Sequence, residues 1–261
     1  MEPIIAKSRK HFIKLKQALQ EPFFYVVDKL LKRRGYIFTS KNMKAKFFLP
    51  YVKSDFIQRY IYKKKHYFEY DNLEYVCKLW NNGIIGKELK DGIVLDIGAN
   101  IGNHTLYFAL ECHAKMVYCF EPVPDTFSVL SKNIEINGLG GAKLINAAVG
   151  ETSGFADIVS YSRKNTGMAT LEESRNGAIK MVAIDDIVLP EKICLVKVDV
   201  EGFEISVIKG MKETLKRNMP YIIIETQYCN YETVVDELQE FGYKHIIISE
   251  SPYERDCLFY M

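Results

Sequence analysis

The sequence predicts an α/β protein built on a largely parallel sheet with helices on both faces, preceded by a basic extension of helices and short strands. Three observations predict it. From Gly92 onward, apolar runs of strand length alternate with helical segments, the pattern of βαβ units. Those runs are apolar almost throughout, as expected of strands covered on both faces. Finally, residues 1–66 carry 17 lysines and arginines against four acids (Glu2, Glu21, Asp28, Asp55), whereas the rest of the chain carries 18 against 29. The two parts differ in kind.

Taken in order, residues 4–20 read as a helix, with Ile5, Phe12, Leu15 and Leu19 on one stripe and lysines elsewhere. Pro22 opens a second helix through Phe23, Val26, Val27, Leu30 and Leu31. Lys32-Arg33-Arg34 lie in its last turn and Gly35 just beyond, a stop signal. Residues 36–70 interleave aromatics with lysines, and 59–62 and 63–68 read as short strands around a polar turn. Packing of these rings inward is the expected role for most of them. A short helix follows over Leu73–Leu79, and Gly83 and Gly86 mark the approach to the central strand.

The regular part then reads strand Ile93–Ile97, helix 103–109, strand Met116–Phe120, helix Pro124–Ile136 and strand Lys143–Val149. Between 150 and 190 the alternation fails. Phe155–Val159 and Lys180–Ile184 look like short strands around a polar loop at Asn165-Thr166-Gly167. Next come strand Ile193–Val198, helix Phe203–Leu215, strand Tyr221–Ile224, helix Tyr231–Phe241 and strand His245–Ile248, with Cys257–Tyr260 as a final edge strand. Residues 1–70 are thus an extension and 71–261 the main domain.

Bulk properties exclude several classes. A chain of 261 residues with 48% hydrophobic and 26% charged content suits one large globular domain with an extension. No apolar run of about 18 residues is present, so no membrane-spanning helix is expected. The N-terminus lacks the apolar core of a secretory signal, which points to a cytoplasmic protein. The six cysteines are scattered without a Cys-x-x-Cys pair, and free thiols rather than a zinc site are expected.

In an open parallel sheet, ligands bind beyond the carboxyl ends of the strands, so the polar residues there are informative. They are Asp96 and a glycine turn, Glu121-Pro122, Ala147-Ala148, Asp199-Val200-Glu201 and Glu225-Thr226. An acid in the place of Glu121 can accept hydrogen bonds from both ribose hydroxyls of an adenosine-type ligand. Nicotinamide and S-adenosylmethionine folds share that geometry and differ in the turn. A dinucleotide fingerprint is Gly-x-Gly-x-x-Gly; here Gly98-Ala99-Asn100-Ile101-Gly102 has Asn100 at its middle. Asp96 would repel a pyrophosphate but suits the ammonium of a methionine moiety. Charge logic favours S-adenosylmethionine.

These residues carry a resemblance. The run Val-Leu-Asp-Ile-Gly-Ala-Asn-Ile-Gly-Asn-His-Thr-Leu (94–106), Phe-Glu-Pro (120–122) and Asn-Ala-Ala-Val-Gly (146–150) resemble the FkbM-type methyltransferases. So do Ile-Asp-Asp-Ile (184–187), Val-Lys-Val-Asp-Val-Glu-Gly-Phe-Glu (196–204) and Ile-Ile-Glu (223–225). The resemblance covers roughly residues 70–250 and leaves residues 1–60 without a counterpart. It implies a Rossmann-like class I methyltransferase fold with a seven-stranded sheet, and methyl transfer to a hydroxyl. Acceptors in that family are sugars of bacterial surface glycans and polyketide-type products. The cofactor set it implies is Asp96, Gly98, Asn100, Gly102, Asn103, Thr105, Glu121, Pro122 and Ala148.

Methyl transfer asks for in-line alignment and removal of the acceptor proton. Asp199 is the leading base or orienting group, with Glu201 and Glu225 as alternatives and Lys197, on the same strand face as Asp199, as its partner or an acceptor-orienting cation. His104 is open to a base role or a structural one. Three carboxylates at two strand ends also suit Mg²⁺, a hard cation, although a metal-free site is preferred. A carbohydrate acceptor is expected, free, nucleotide-linked or lipid-linked. An RNA acceptor draws on the basic N-terminal segment, which is equally compatible with contact at an anionic membrane face. A homodimer is left open.

Overall fold

The structure, a computed structural model, describes residues 22–81, 92–162, 165–189 and 192–261. The expected helix at 4–20 and the glycines at 83 and 86 lie outside them. Helix α1 covers residues 22–32 and ends through a turn in which Gly35 has φ +61°. Phe24, Val27 and Leu31 form its buried stripe. Strands β1 (Ile37–Thr39) and β2 (Lys46–Phe48) pair antiparallel.

Residues 59–68, expected as strands, correct to a helix over 59–64 followed by a turn. Helix α2 spans Phe56–Lys64. The Asp55 carboxylate accepts from the Gln58 N–H at 2.9 Å, capping the first turn. Ile57, Gln58 and Ile61 are buried at helical spacing. The aromatic, branched run Tyr60-Ile61-Tyr62 suggested a strand, and the cap with a one-sided core contact outweighs that preference. Helix α3 (Tyr70–Asn81) begins earlier than expected.

The regular part follows as β3 (Ile93–Ile97), α4 (Asn103–Leu110), β4 (Met116–Phe120), α5 (Pro124–Ile136), β5 (Ala142–Ile145) and β6 (Ala148–Val149). The single strand expected over 143–149 is split at Asn146, whose amide donates to the Glu121 and Pro122 carbonyls at 2.8 and 3.1 Å. Next come β7 (Gly154–Ser162), β8 (Asn165–Glu173) and β9 (Ile179–Val182), then β10 (Ile193–Val198). Strand β8 takes the place of the expected polar loop.

The helix expected over Phe203–Leu215 is two, α6 (Glu204–Lys209) and α7 (Lys212–Asn218). The break falls at Gly210, where a Cβ would stand 2.0 Å from the Gly150 carbonyl oxygen. The Asp185 carboxylate caps α7, accepting from the Glu213 and Thr214 N–H groups, each at 2.8 Å. The chain ends with β11 (Tyr221–Gln227), α8 (Tyr228–Gln239), β12 (Lys244–Glu250) and β13 (Glu254–Tyr260).

The main sheet has seven strands in the order β12-β13-β11-β10-β3-β4-β5. The pairs from β11 through β5 are parallel, and β13 is antiparallel to both its neighbours. β13 was expected at the edge; it lies inside, and β12 is the edge. Every residue of β3 and β10 is buried. A second sheet, β6-β9-β7-β8, stands beside the carboxyl edge. One face of the main sheet shares an apolar cluster with the N-terminal elements, in which Phe24, Phe47, Leu49, Ile61 and Tyr67 meet Val94, Leu106 and Phe108. Side chains fasten that layer: Asn133 of α5 and Asn137 at its C-cap accept from the Phe48 and Lys46 N–H groups at 2.5 and 2.8 Å. No helix among the described residues is long and apolar enough to cross a membrane.

Candidate active site

The turn after β3 brings two strand ends together. Gly98 has φ +81°, Asn100 +50° and Gly102 +87°. A Cβ on Gly98 would lie 1.8 Å from the Asp199 carbonyl oxygen, so only glycine lets the turn press against the segment leaving β10. Glu121, at the end of β4, is buried and accepts from the Asn100 N–H at 2.9 Å and the Val123 N–H at 2.8 Å. Burial pushes its carboxyl up to about 8 against those two donors, with Asp199 and Asp96 adding to the rise.

These groups border a cleft lined by Gly98, Asn100, Glu121, Pro122 and Ala148, with Ile97, Phe120, Leu171 and Phe203 as apolar walls and Asp199 and Glu201 at one end. An apolar slot for a flat ring beside one carboxylate for a vicinal diol fits the adenosine of S-adenosylmethionine. A carboxylate has about four acceptor positions, so two backbone donors leave room for two hydroxyls.

Four expected cofactor residues do not line that cleft. Asp96 is fully buried; its Oδ2 accepts from the Thr105 hydroxyl at 2.5 Å, and its Oδ1 has no hydrogen-bond partner among the described residues. Asn103 points the other way, accepting from the Phe68 N–H at 2.8 Å and donating to the Phe68 carbonyl at 3.0 Å. Gly102 turns the chain into α4, with Leu130 against the place of a Cβ. Asp96 and Thr105 therefore brace the turn from beneath, and Asn103 joins it to the N-terminal layer.

On the far side, Asp199, Glu201 and Glu225 converge, each offering a carboxylate oxygen within 4.8 Å of the others. Lys197 is buried and holds Asp199 at 2.6 Å. Burial alone would lower its ammonium; Asp199 and Asp96 outweigh that and raise it, so it remains a cation. Asp199, then burial, then Glu69 and Asp256 drive the Glu225 carboxyl far above the usual range. Burial, with Asp199 next, lifts Glu201 to about 8. Glu201 has φ +51°, a costly conformation for a residue with a Cβ, and it aims this carboxylate into the cleft. The oxygen-only set suits a divalent cation, but Lys197 already supplies a positive charge to Asp199.

A cavity of about 790 Å³ opens beside these acids. Phe56, Phe68, Tyr228 and Tyr253 give it aromatic faces, and Glu69 and Glu254 join Asp199, Glu201 and Glu225 on its wall. Its described lining has no lysine, arginine or histidine. His104 faces another way: its Nε2 is 3.3 Å from Glu69, and it borders a small inner cavity with Lys197, Glu225 and Asp256. The structure thus places His104 with the acids behind the wall and apart from the cofactor cleft.

Sequence reasoning missed Glu69, Glu254 and Asp256. Glu254 and Asp256 pair with Gln227 and Glu225 across β13 and β11. Because β13 runs antiparallel, its beginning lies at the ligand edge, where only strand ends had been considered. Glu69 carries no motif; its φ of +55° between Phe68 and Tyr70 is visible only in the structure.

Fold and site together define a class I S-adenosylmethionine methyltransferase architecture. The model of the methyltransferase FkbM domain matches residues 96–245, and the chain belongs to that family. It is 33% identical over 142 residues to the hexuronic acid methyltransferase AglP of Haloferax volcanii, covering 52% of this chain and 56% of that protein. It is 26% identical over 169 residues to the methyltransferase sdnD of Sordaria araneosa, covering 51% and 65%. The chain therefore spans about 56–65% of the length of these curated relatives. The crystal structure of methyltransferase FkbM from Methylobacillus flagellatus has the same fold, with TM-score 0.53 and 17% identity over 78% of this chain and 52% of that one.

Proposed function

We propose that this protein transfers a methyl group from S-adenosylmethionine to a hydroxyl of a carbohydrate. One observation carries the reading: the glycine turn and Glu121 face a wall of carboxylates across a single cleft, with backbone contact between turn and wall. When bound, S-adenosylmethionine supplies an electrophilic methyl on a sulfonium. Glu121 hydrogen-bonds the ribose hydroxyls, and the apolar walls around Phe120 and Leu171 exclude water from the adenine. Asp199, held in place by Lys197, accepts the proton of the acceptor hydroxyl or orients it. Glu225, protonated near neutrality, donates a hydrogen bond, which argues against its use as a base there.

The cavity chemistry supports a sugar. Carboxyl groups accept from vicinal hydroxyls, and aromatic faces cover the C–H side of a ring. AglP acts on a hexuronic acid by its name, which supports the glycan class. An RNA acceptor is disfavoured because the described wall is acidic and offers no lysine, arginine or histidine to its phosphates. A nicotinamide dinucleotide is disfavoured by Asp96 and Asp199 around the turn. A bacterial surface glycan is our choice among carbohydrates. Calorimetric titration with S-adenosylhomocysteine tests the donor half, and absence of heat at millimolar ligand would end it. Mass spectrometry of surface glycans with and without the gene tests the acceptor half, through the loss of a methyl-sized mass from one sugar.

Helix α1 bears on where the acceptor is met. Phe23, Val26 and Leu30 are each more than half exposed, on the flank about 100° round the helix from its buried stripe. Lys29, Lys32, Arg33 and Arg34 flank them. We propose that this stripe rests on an anionic bilayer, where lipid-linked sugars are presented.

A further inference from the structure

Outside the cleft, one pair of thiols has been brought together. Cys77 lies on α3 and Cys112 just past α4, 35 residues later, and their Sγ atoms are 2.7 Å apart. Both are half-buried. The two helices lie side by side in the same direction: Glu69 meets His104 at one end, the Tyr70 and Tyr107 rings meet next, and the thiols close the other end. Among the described residues no other two thiols are paired in this way; Cys119, Cys194 and Cys257 are buried singly, and Cys229 is exposed.

We propose that Cys77 and Cys112 form a reversible disulfide that staples α3 to α4. A bond of about 2.05 Å needs less than 1 Å of approach from the observed separation. The Glu69–His104, Tyr70–Tyr107 and Cys77–Cys112 contacts keep one register between the two segments, so the thiols stay facing one another. Roles within the pair follow from its surroundings. The hydrogen bond with Cys112, helped by the Tyr107 hydroxyl, holds the Cys77 thiol below its ordinary range, whereas the same contact and burial raise Cys112. Cys77 is therefore the attacking thiol and Cys112 the resolving one.

With a small-molecule disulfide such as oxidised glutathione, the Cys77 thiolate attacks one sulfur and releases one glutathione thiolate. Cys112 then gives up its proton, attacks the Cys77 sulfur and displaces the second glutathione. Two protein thiols lose two electrons and two protons, and one glutathione disulfide becomes two thiols. The staple closes about two helical turns from Glu69, so it braces the element that carries one wall of the acceptor cavity.

The test equilibrates the full chain with glutathione buffers of stepped potential, traps free thiols with N-ethylmaleimide and reads intact and peptide masses. Expected is a species two hydrogens lighter, with maleimide missing from Cys77 and Cys112 together and restored by dithiothreitol. Its unfolding midpoint rises by roughly 5 °C, from closure of a 35-residue loop. Exposed Cys229 reports oxidising power by acquiring a mixed disulfide. Cys77→Ser and Cys112→Ser each abolish the cross-link and the midpoint rise. The proposal is overturned if Cys77 and Cys112 stay fully labelled while Cys229 is glutathionylated. It is equally overturned if wild-type Cys77 stops at a mixed disulfide, or if the cross-link joins another pair.

Discussion

Replacing Lys197 with methionine removes the only buried lysine or arginine among the described residues and leaves Asp199 beside Glu225 and Glu201 without its counter-charge. At 2.6 Å and an effective dielectric near 20, the lost attraction is about 6 kcal/mol. Desolvation of the ammonium, several kcal/mol in its own right, is no longer needed and offsets part of this. The Asp199 side chain is 26% exposed, so water takes up some of the stranded charge. The expected loss is about 3 kcal/mol in urea unfolding. Asp199→Asn strands the ammonium instead and costs about as much, while the double variant Lys197→Met/Asp199→Asn loses less than the sum by about 2 kcal/mol. Turnover falls at least 100-fold in Asp199→Asn, while S-adenosylhomocysteine affinity changes less than threefold. Additive single effects would show that the pair is not energetically coupled. Full turnover in Asp199→Asn would remove Asp199 from the chemistry.

Glu121→Ala weakens S-adenosylhomocysteine binding by about 30-fold in calorimetry, the worth of two hydrogen bonds between the ribose hydroxyls and the carboxyl; unchanged affinity would place the ribose elsewhere. Glu121, Glu201 and Glu225 are all raised above 4.5, so the folded chain holds protons that the unfolded chain has lost. As far as these groups decide it, stability is highest at and below pH 4.5, falls through Glu121 and Glu201 as pH rises to about 8, and keeps falling to about 11 through Glu225. Glu225→Gln flattens that fall, which chemical unfolding across the window measures. Turnover survives chelation of divalent metal, because Lys197 neutralises Asp199; a tenfold loss restored by Mg²⁺ would reassign the three carboxylates. Vesicles containing phosphatidylglycerol carry the chain upward in flotation, neutral vesicles do not, and Phe23→Ser/Val26→Ser/Leu30→Ser stays at the bottom. Equal flotation of that variant would refute the docking of α1.

Much of the sheet was legible because β3, β4 and β10 are apolar runs broken only by Asp96 and Lys197, a pattern that a doubly covered strand explains. Strand ends then pointed to Glu121, Asp199, Glu201 and Glu225, four of the acids the structure brings to the cleft and the cavity beside it. What escaped depends on distant partners. Gly210 breaks a helix because of Gly150, 60 positions earlier, and no local pattern holds that information. Tyr60-Ile61-Tyr62 has strand propensity, and the cap by Asp55 overrides it. His104, Asn103 and Thr105 sit among the turn residues in sequence yet face away, since successive helical side chains diverge by about 100°. Cys77 and Cys112 meet only because α3 and α4 run side by side.

The contact between Gly98 and the Asp199 carbonyl has a bearing on engineering. The glycine turn and the end of β10 share one backbone interface, so on the proposed reading a substitution that shifts either one misplaces both reactants at once. Acceptor preference is better redirected from the opposite bank of the cavity. There Tyr253, largely exposed, and Glu254, at the start of β13, touch the cavity without reaching the turn. A library confined to residues 252–254 and Tyr228 would explore new acceptors while leaving the methyl donor where it is.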